Sequence, residues 1–167
     1  MKKLLILFLV SILTVASFAK ERWEVDEGTI YTHGVIVHGH KFGYFKDDEY
    51  CDTDLIFLRW STYEDGLEEY KGIDAIIEMR LNGSNEVIET IPSTLMSAYK
   101  FPALMTIGGF KTIILSEKLS KAIRESDNIE FTFIGPIGLV DKLDIKSDMF
   151  DTSGLSEVYE KFDNSCK

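Results

Sequence analysis

All three histidines of the chain fall within one short stretch, at His33, His38 and His40. On an extended strand His38 and His40 point to one face while His33 takes the other parity. The pair therefore offers two nitrogens to a metal such as zinc, whose protein ligands are His, Cys, Asp and Glu. A third ligand would come from Asp47, Asp48 or Glu49 if the chain folds back. The competing reading is a His-x-His pair on a solvent-facing strand that holds no ion.

Carboxylates crowd a cysteine in the run Asp47-Asp48-Glu49-Tyr50-Cys51-Asp52-Thr53-Asp54. Calcium takes about six to eight oxygens from a loop of defined spacing, and this run lacks the glycine and the register of an EF-hand. It reads as a solvated acidic turn or, functionally, as an electronegative patch of Asp47, Asp48, Glu49, Asp52 and Asp54 facing a basic partner. Aromatic side chains at Trp23, Trp60, Tyr63, Tyr99 and Phe101 fit either a ligand-binding face or core and strand-end packing.

Nucleophilic chemistry has no support. There is no Gly-x-Ser-x-Gly elbow, and a Cys-His pair loses its thiolate if the cysteines are oxidised. Gly108-Gly109 is a turn signal with no Lys-Ser/Thr at phosphate-loop spacing, and Asn82-Gly83-Ser84 matches a glycosylation sequon that a hairpin turn explains fully. Carboxylates are numerous enough to furnish a hydrolase dyad, but spacing selects none of them. The residues favour binding over catalysis, with no cofactor. The alternatives are a metal or small-molecule module on His38 and His40, and an envelope hydrolase.

The compartment follows from the N-terminus. Met1-Lys2-Lys3 precedes the apolar stretch Leu4 to Ala16, and Ser17 and Ala19 occupy positions −3 and −1 of a cleavage site, as in a secretory signal peptide over residues 1–19. The apolar segment is shorter than the roughly 20 residues of a membrane span, and no later stretch could cross. The mature chain is expected over residues 20–167, in the periplasm or secreted, as a single domain long enough to bury a core. Its only two cysteines, Cys51 and Cys166, would meet an oxidising compartment and form a disulfide. Subtracting the leader's two lysines from 18 basic residues leaves 16 against 28 acidic ones, a formal net charge of −12. Such a charge repels phosphate backbones and excludes nucleic-acid binding, whereas it suits a protein that engages an envelope or periplasmic partner. Oligomeric state is open.

The elements that must position these residues are mostly strands. Ile73, Ala75, Ile77, Met79 and Leu81 alternate with mainly polar residues, Asn82-Gly83 supplies a tight turn, and Glu86 to Ile91 reads as the returning strand. Leu55 to Trp60, Phe110 to Leu115, Ile129 to Ile134, Leu139 to Ile145 and Ile30 to Val37 are further strand candidates. Ser93 to Thr106 is read as irregular, because Pro102 interrupts the helical spacing of Leu95, Met96 and Tyr99. Two helices are expected. One is capped by Ser116 and buries Leu119, Ala122 and Ile123; the other runs from Ser153 to Ser165 with Leu155, Val158, Tyr159 and Phe162 inward.

Phe150-Asp151-Thr152-Ser153-Gly154-Leu155, followed by Val158 and Cys166, resembles the closing segment of the type VI secretion-associated VasI (TagO) family of exported proteins. Cys51 with Leu55-Ile56-Phe57-Leu58-Arg59-Trp60-Ser61-Thr62-Tyr63 is similar to that family's cysteine, apolar strand and aromatic ending. Met79-Arg80-Leu81-Asn82-Gly83 and Leu119 to Phe133 resemble its Arg-containing turn and its helix-strand unit. The resemblance spans Cys51 to Cys166 and implies a disulfide-closed sandwich and a role beside a secretion apparatus.

The expectation is therefore a mainly antiparallel β-sandwich with two short α-helices, one of them C-terminal, closed by Cys51–Cys166. Its expected role is that of a non-enzymatic accessory or inhibitory protein binding an envelope or secretion-apparatus partner.

Overall fold

Period-two alternation makes the strand the dominant element. The computed structural model describes residues 22–26, 28–46, 51–102 and 104–163. Among them it forms β1 (Glu24–Asp26), β2 (Thr29–His33), β3 (Lys41–Phe45), β4 (Leu55–Thr62), β5 (Asp74–Leu81), β6 (Glu89–Lys100), β7 (Thr106–Phe110) and β8 (Ile113–Ile114). These are followed by α1 (Glu117–Arg124), β9 (Asn128–Gly135), α2 (Ile137–Val140), β10 (Ser147–Asp151) and α3 (Leu155–Asp163). A 3₁₀ turn, Leu67–Tyr70, lies between β4 and β5. No described helix is long and apolar enough to cross a membrane. The expected signal peptide lies outside the described residues.

Every strand pairing is antiparallel, in the order β1-β2-β3-β4-β7-β6-β5-β9-β10, with β8 also on β4. The long strand β6 joins two halves. Its first part, Glu89 to Thr94, pairs with β5, and its second part, Leu95 to Lys100, pairs with β7 with a register shift between Leu95 and Ser97. At the far edge β10 returns to the end of β2, where Gly34 bridges Phe150 and the Val35 amide donates to the Met149 carbonyl at 2.8 Å.

Inward side chains from both halves share one core. Phe42 of β3 meets Phe131 of β9 at a ring separation of 5.1 Å, and Trp60 of β4 meets Phe133 of β9 at 4.8 Å. From the helices, α1 contributes Ile123, α2 contributes Leu139 and Val140, and α3 contributes Leu155, Tyr159 and Phe162. At such separations tilted aromatic pairs add about 0.5–1.5 kcal/mol each beyond their buried area.

The β5 strand, the Asn82-Gly83 turn with both residues at positive φ, and the Ser116 cap accepting from the Leu119 amide agree with the sequence reading. The strand expected over Phe110 to Leu115 is broken at Lys111 and Thr112 between β7 and β8, and three further expectations need correction. Leu139 to Ile145 is not a strand; it carries the end of α2 and the turn after it, because Leu139, Val140 and Leu143 also satisfy a helical face beyond Pro136. Ser93 to Lys100 is regular strand, since Ser93 and Leu95 are buried in alternation despite the helical spacing of the neighbouring apolar residues. The strand expected over Ile30 to Val37 stops at His33, where the return from β10 takes the Val35 amide.

Candidate functional site

The turn Cys51 to Asp54, just before β4, faces α1 and α3 across a cleft of about 480 Å³. Lys46 follows β3 and brings its ammonium inward. Its Nζ donates to the Cys51 carbonyl at 2.9 Å and stands 2.9 Å from Asp163 Oδ1 and 3.4 Å from Asp54 Oδ1. Arg124, in the last turn of α1, donates to Asp54 Oδ2 at 2.8 Å and to Ser120 Oγ at 2.7 Å. Its guanidinium lies 4.2 Å over the Tyr159 ring, whose hydroxyl donates to Asp54 Oδ1.

The electrostatics follow from this packing. Burial raises the Asp54 carboxyl, but hydrogen bonds from Ser120, Tyr159 and Arg124 together outweigh it and hold Asp54 below the ordinary carboxylate range. Burial, with the Asp54 hydrogen bond second, drives the Tyr159 phenol upward. Burial, against the lowering effect of the Ser120 hydroxyl that donates to it at 3.4 Å, pushes Tyr44 up to about 12. An ionised carboxylate held by two cations and a phenol is a poor proton carrier near neutral pH. The arrangement ties the turn, α1 and α3 together.

The expected acidic patch is thereby redrawn. Asp47, Asp48 and Glu49 lie outside the described residues. Asp52 is exposed at the cleft, but Asp54 turns inward and is neutralised by Lys46 and Arg124. Arg124 and Tyr159 meet Asp54 across 70 and 105 positions, so spacing does not announce them, and Lys46, only 8 positions from Asp54, is not singled out by the sequence either. Cys51 is at the cleft and Cys166 is outside the described residues.

The histidines separate. His40 is wholly buried, its Nε2 donates to the Ser61 carbonyl at 2.9 Å, its Nδ1 lies 2.8 Å from Asp148 Oδ2, and its ring stacks on Trp60 at 3.8 Å. Asp148 also accepts from the amides of Ile36, Val37 and Met149 at 2.9, 3.0 and 2.8 Å. Burial raises its carboxyl, but the bonds from His40 and these amides lower it below the usual range overall. His38 stacks instead on His33 at 3.9 Å, and His33 Nε2 contacts Glu24 Oε1 at 2.9 Å. The expected His38/His40 metal pair is therefore not assembled, because both nitrogens of His40 are engaged in fastening the connection after β2. No group of three or more metal-ligating side chains stands together among the described residues.

The aromatic residues divide as well. Trp23 and Trp60 are core, whereas Tyr63 and Leu104 are 71% and 66% exposed, with Tyr99 and Phe101 exposed beside them. The β6–β7 connection is a tight reversal in which the Phe101 amide donates to the Met105 carbonyl at 2.8 Å and the Leu104 amide to the Phe101 carbonyl at 3.1 Å. Tyr63, Phe101, Leu104 and Met105 line a recess of about 270 Å³ that is rimmed by the Lys100–Asp65 ion pair at 2.6 Å. The neighbouring 34–40 connection, whose Gly39 lies against Ser61 and Met105, exposes Val35 and Ile36.

Comparison with protein-family models, with curated protein sequences and with solved structures finds no match. Fold and site together define a class: a mainly antiparallel β protein with three α-helices among the described residues, a charged cleft whose groups pair with one another, and an apolar end.

Proposed function

We propose that the protein is an exported, non-enzymatic accessory or inhibitory protein that binds an envelope or secretion-apparatus partner through its apolar end. The observation that carries this reading is the cluster Tyr63, Phe101 and Leu104, exposed around a recess and bordered by an ion pair. An apolar centre with a polar rim is the anatomy of a protein-binding patch, and aromatic residues are enriched at such centres. The buried His40–Asp148 pair and the Asp54 cluster are each occupied by partners within the fold, which leaves binding at the surface as the better-supported activity.

In this reading the two halves of the sheet form a sandwich clasped by Cys51–Cys166. Support comes from the aromatic contacts between the halves and from Lys46, which joins the Cys51 carbonyl to Asp163, three residues before Cys166. Residues 1–19, read as a signal peptide, support export, and the likeness to the VasI (TagO) family supports a partner near a secretion apparatus.

The test expresses the tagged protein in its native host. N-terminal sequencing is expected to begin at Lys20, and one envelope protein is expected to crosslink to wild type and to Lys121→Asp on α1, but at least tenfold less to Phe101→Asp/Leu104→Asp. Equal recovery by the double variant, or an unprocessed cytoplasmic chain, contradicts the proposal.

A further inference from the structure

A separate recess lies on the outer face of the sheet. Alternation along β2, β3 and β4 sends Ile30, Phe42, Tyr44, Ile56 and Leu58 into the core and turns Tyr31, Lys41, Phe57 and Arg59 the other way. Register sets Lys41 directly opposite Arg59, and the row beside it runs Tyr31, Gly43, Phe57. Like charges directly opposite on antiparallel strands destabilise the pairing. Lys41 Nζ rests 3.9 Å over the Tyr31 ring, Arg59 is exposed, and neither cation forms an ion pair among the described residues. The repulsion between these two neighbouring cations is what a bridging anion would reverse.

The floor beside them is shaped for a ring. A Cβ on Gly43 would lie 2.7 Å from Phe57 Cε1 and 2.6 Å from Tyr31 Cβ, so glycine at this position lets both aromatic side chains close over β3. Gly109, opposite Arg59 on β7, carries no side chain itself, and Ser97 Oγ stands 2.7 Å from where its Cβ would be. The resulting recess of about 440 Å³ has Lys41 and Arg59 among its lining with Tyr31, Phe57 and Thr112, and Asp26 is the carboxylate in its wall.

We propose that this recess binds a carboxylated ring, with the carboxylate bridging Lys41 and Arg59 and the ring lying against Phe57. An Arg guanidinium takes a carboxylate through two parallel hydrogen bonds, and Lys41 adds a second charge. The aromatic wall accepts the flat face of either an aromatic acid or an acidic sugar. The site is independent of the apolar end, so either reading can fail alone.

Amide NMR of the purified, folded protein tests this with benzoate and galacturonate as probes and galactose as the neutral control. Saturable shifts at the Gly43 and Gly109 amides are expected with at least one acid and not with galactose, and the acid that acts identifies the source of the ring. Arg59→Ser is expected to weaken binding at least tenfold and Arg59→Lys less, while the melting temperature without ligand holds or rises because the like-charge pair is gone. Absence of shifts with both acids at millimolar concentration, or identical shifts in Arg59→Ser, overturns the proposal.

Discussion

Lys46 Nζ and Asp163 Oδ1 stand 2.9 Å apart, and the same ammonium donates to the carbonyl of Cys51. One buried cation thus fastens the end of the C-terminal helix to the turn that opens β4. Lys46→Met keeps the apolar stem but leaves Asp54 and Asp163 short of a charge partner. We expect a loss of about 2–3 kcal/mol in urea unfolding, the range for removing one partner of a buried charged hydrogen bond. A loss below about 0.5 kcal/mol would show that the cluster is not a structural tie.

That tie holds the chain three residues before Cys166 against Cys51. A disulfide there would close a loop of about 100 residues, which the chain-entropy model credits with about 4–5 kcal/mol. Cys166→Ser, or full reduction, is therefore expected to lower the melting temperature markedly. Calorimetry showing the same temperature for oxidised and reduced protein would remove the clasp from the account.

Acid should undo the two buried carboxylates. Asp54 and Asp148 both titrate below their unfolded range in the native state, so the unfolded chain binds the proton more tightly. Their contribution is full above about pH 4 and is lost as pH falls through the depressed native values. Unfolding free energy measured from pH 7 downward is expected to fall steeply below about pH 4. Asp54→Asn, less stable at neutral pH, should show a shallower acid slope; an unchanged slope would mean that Asp54 is not ionised in the native state.

Base acts with the opposite sign. Tyr44, pushed up to about 12 by burial, holds its proton more tightly folded than unfolded, so its contribution is present below about pH 10 and lost as pH rises towards 12. Tyrosinate absorbance should show Tyr44 ionising only towards pH 12 or on unfolding. Tyr44→Phe should remove one late-titrating group, and a titration in which all tyrosines ionise together would contradict its burial.

How much of this was legible in sequence depended on whether the determinant was local. The alternation from Ala75 to Met79, the Asn82-Gly83 turn and the Ser116 cap are decided by residues a few positions apart, and each was readable. So was α3, because Leu155, Val158, Tyr159 and Phe162 satisfy one helical stripe. The second part of β6 was hidden because Leu95, Met96 and Tyr99 also satisfy helical spacing, and only pairing with β7 decides between the two. Leu139 to Ile145 failed for the converse reason, a short apolar run whose period is ambiguous.

The candidate site was less legible. The sequence groups Asp52 and Asp54 with Cys51 as an acidic run, but the state of Asp54 is decided by Lys46 nearby and by Arg124 and Tyr159 from distant elements. His38 and His40 looked paired because a strand was assumed to continue past His33. Asp148, on β10, captures His40 and two amides of that connection, and no local pattern announces it. Tyr63, Tyr99 and Phe101 were grouped with the tryptophans, although only burial separates core aromatics from surface ones.

The central claim, that the apolar end docks a protein partner, is tested most directly by site-specific photo-crosslinking in the native host. A photoreactive residue replaces Tyr63 in one variant and Glu157, exposed on α3, in another. A discrete crosslinked envelope protein is expected from position 63, absent from position 157 and lost when Leu104→Asp is added. The same band from both positions, or no band from position 63, would contradict it.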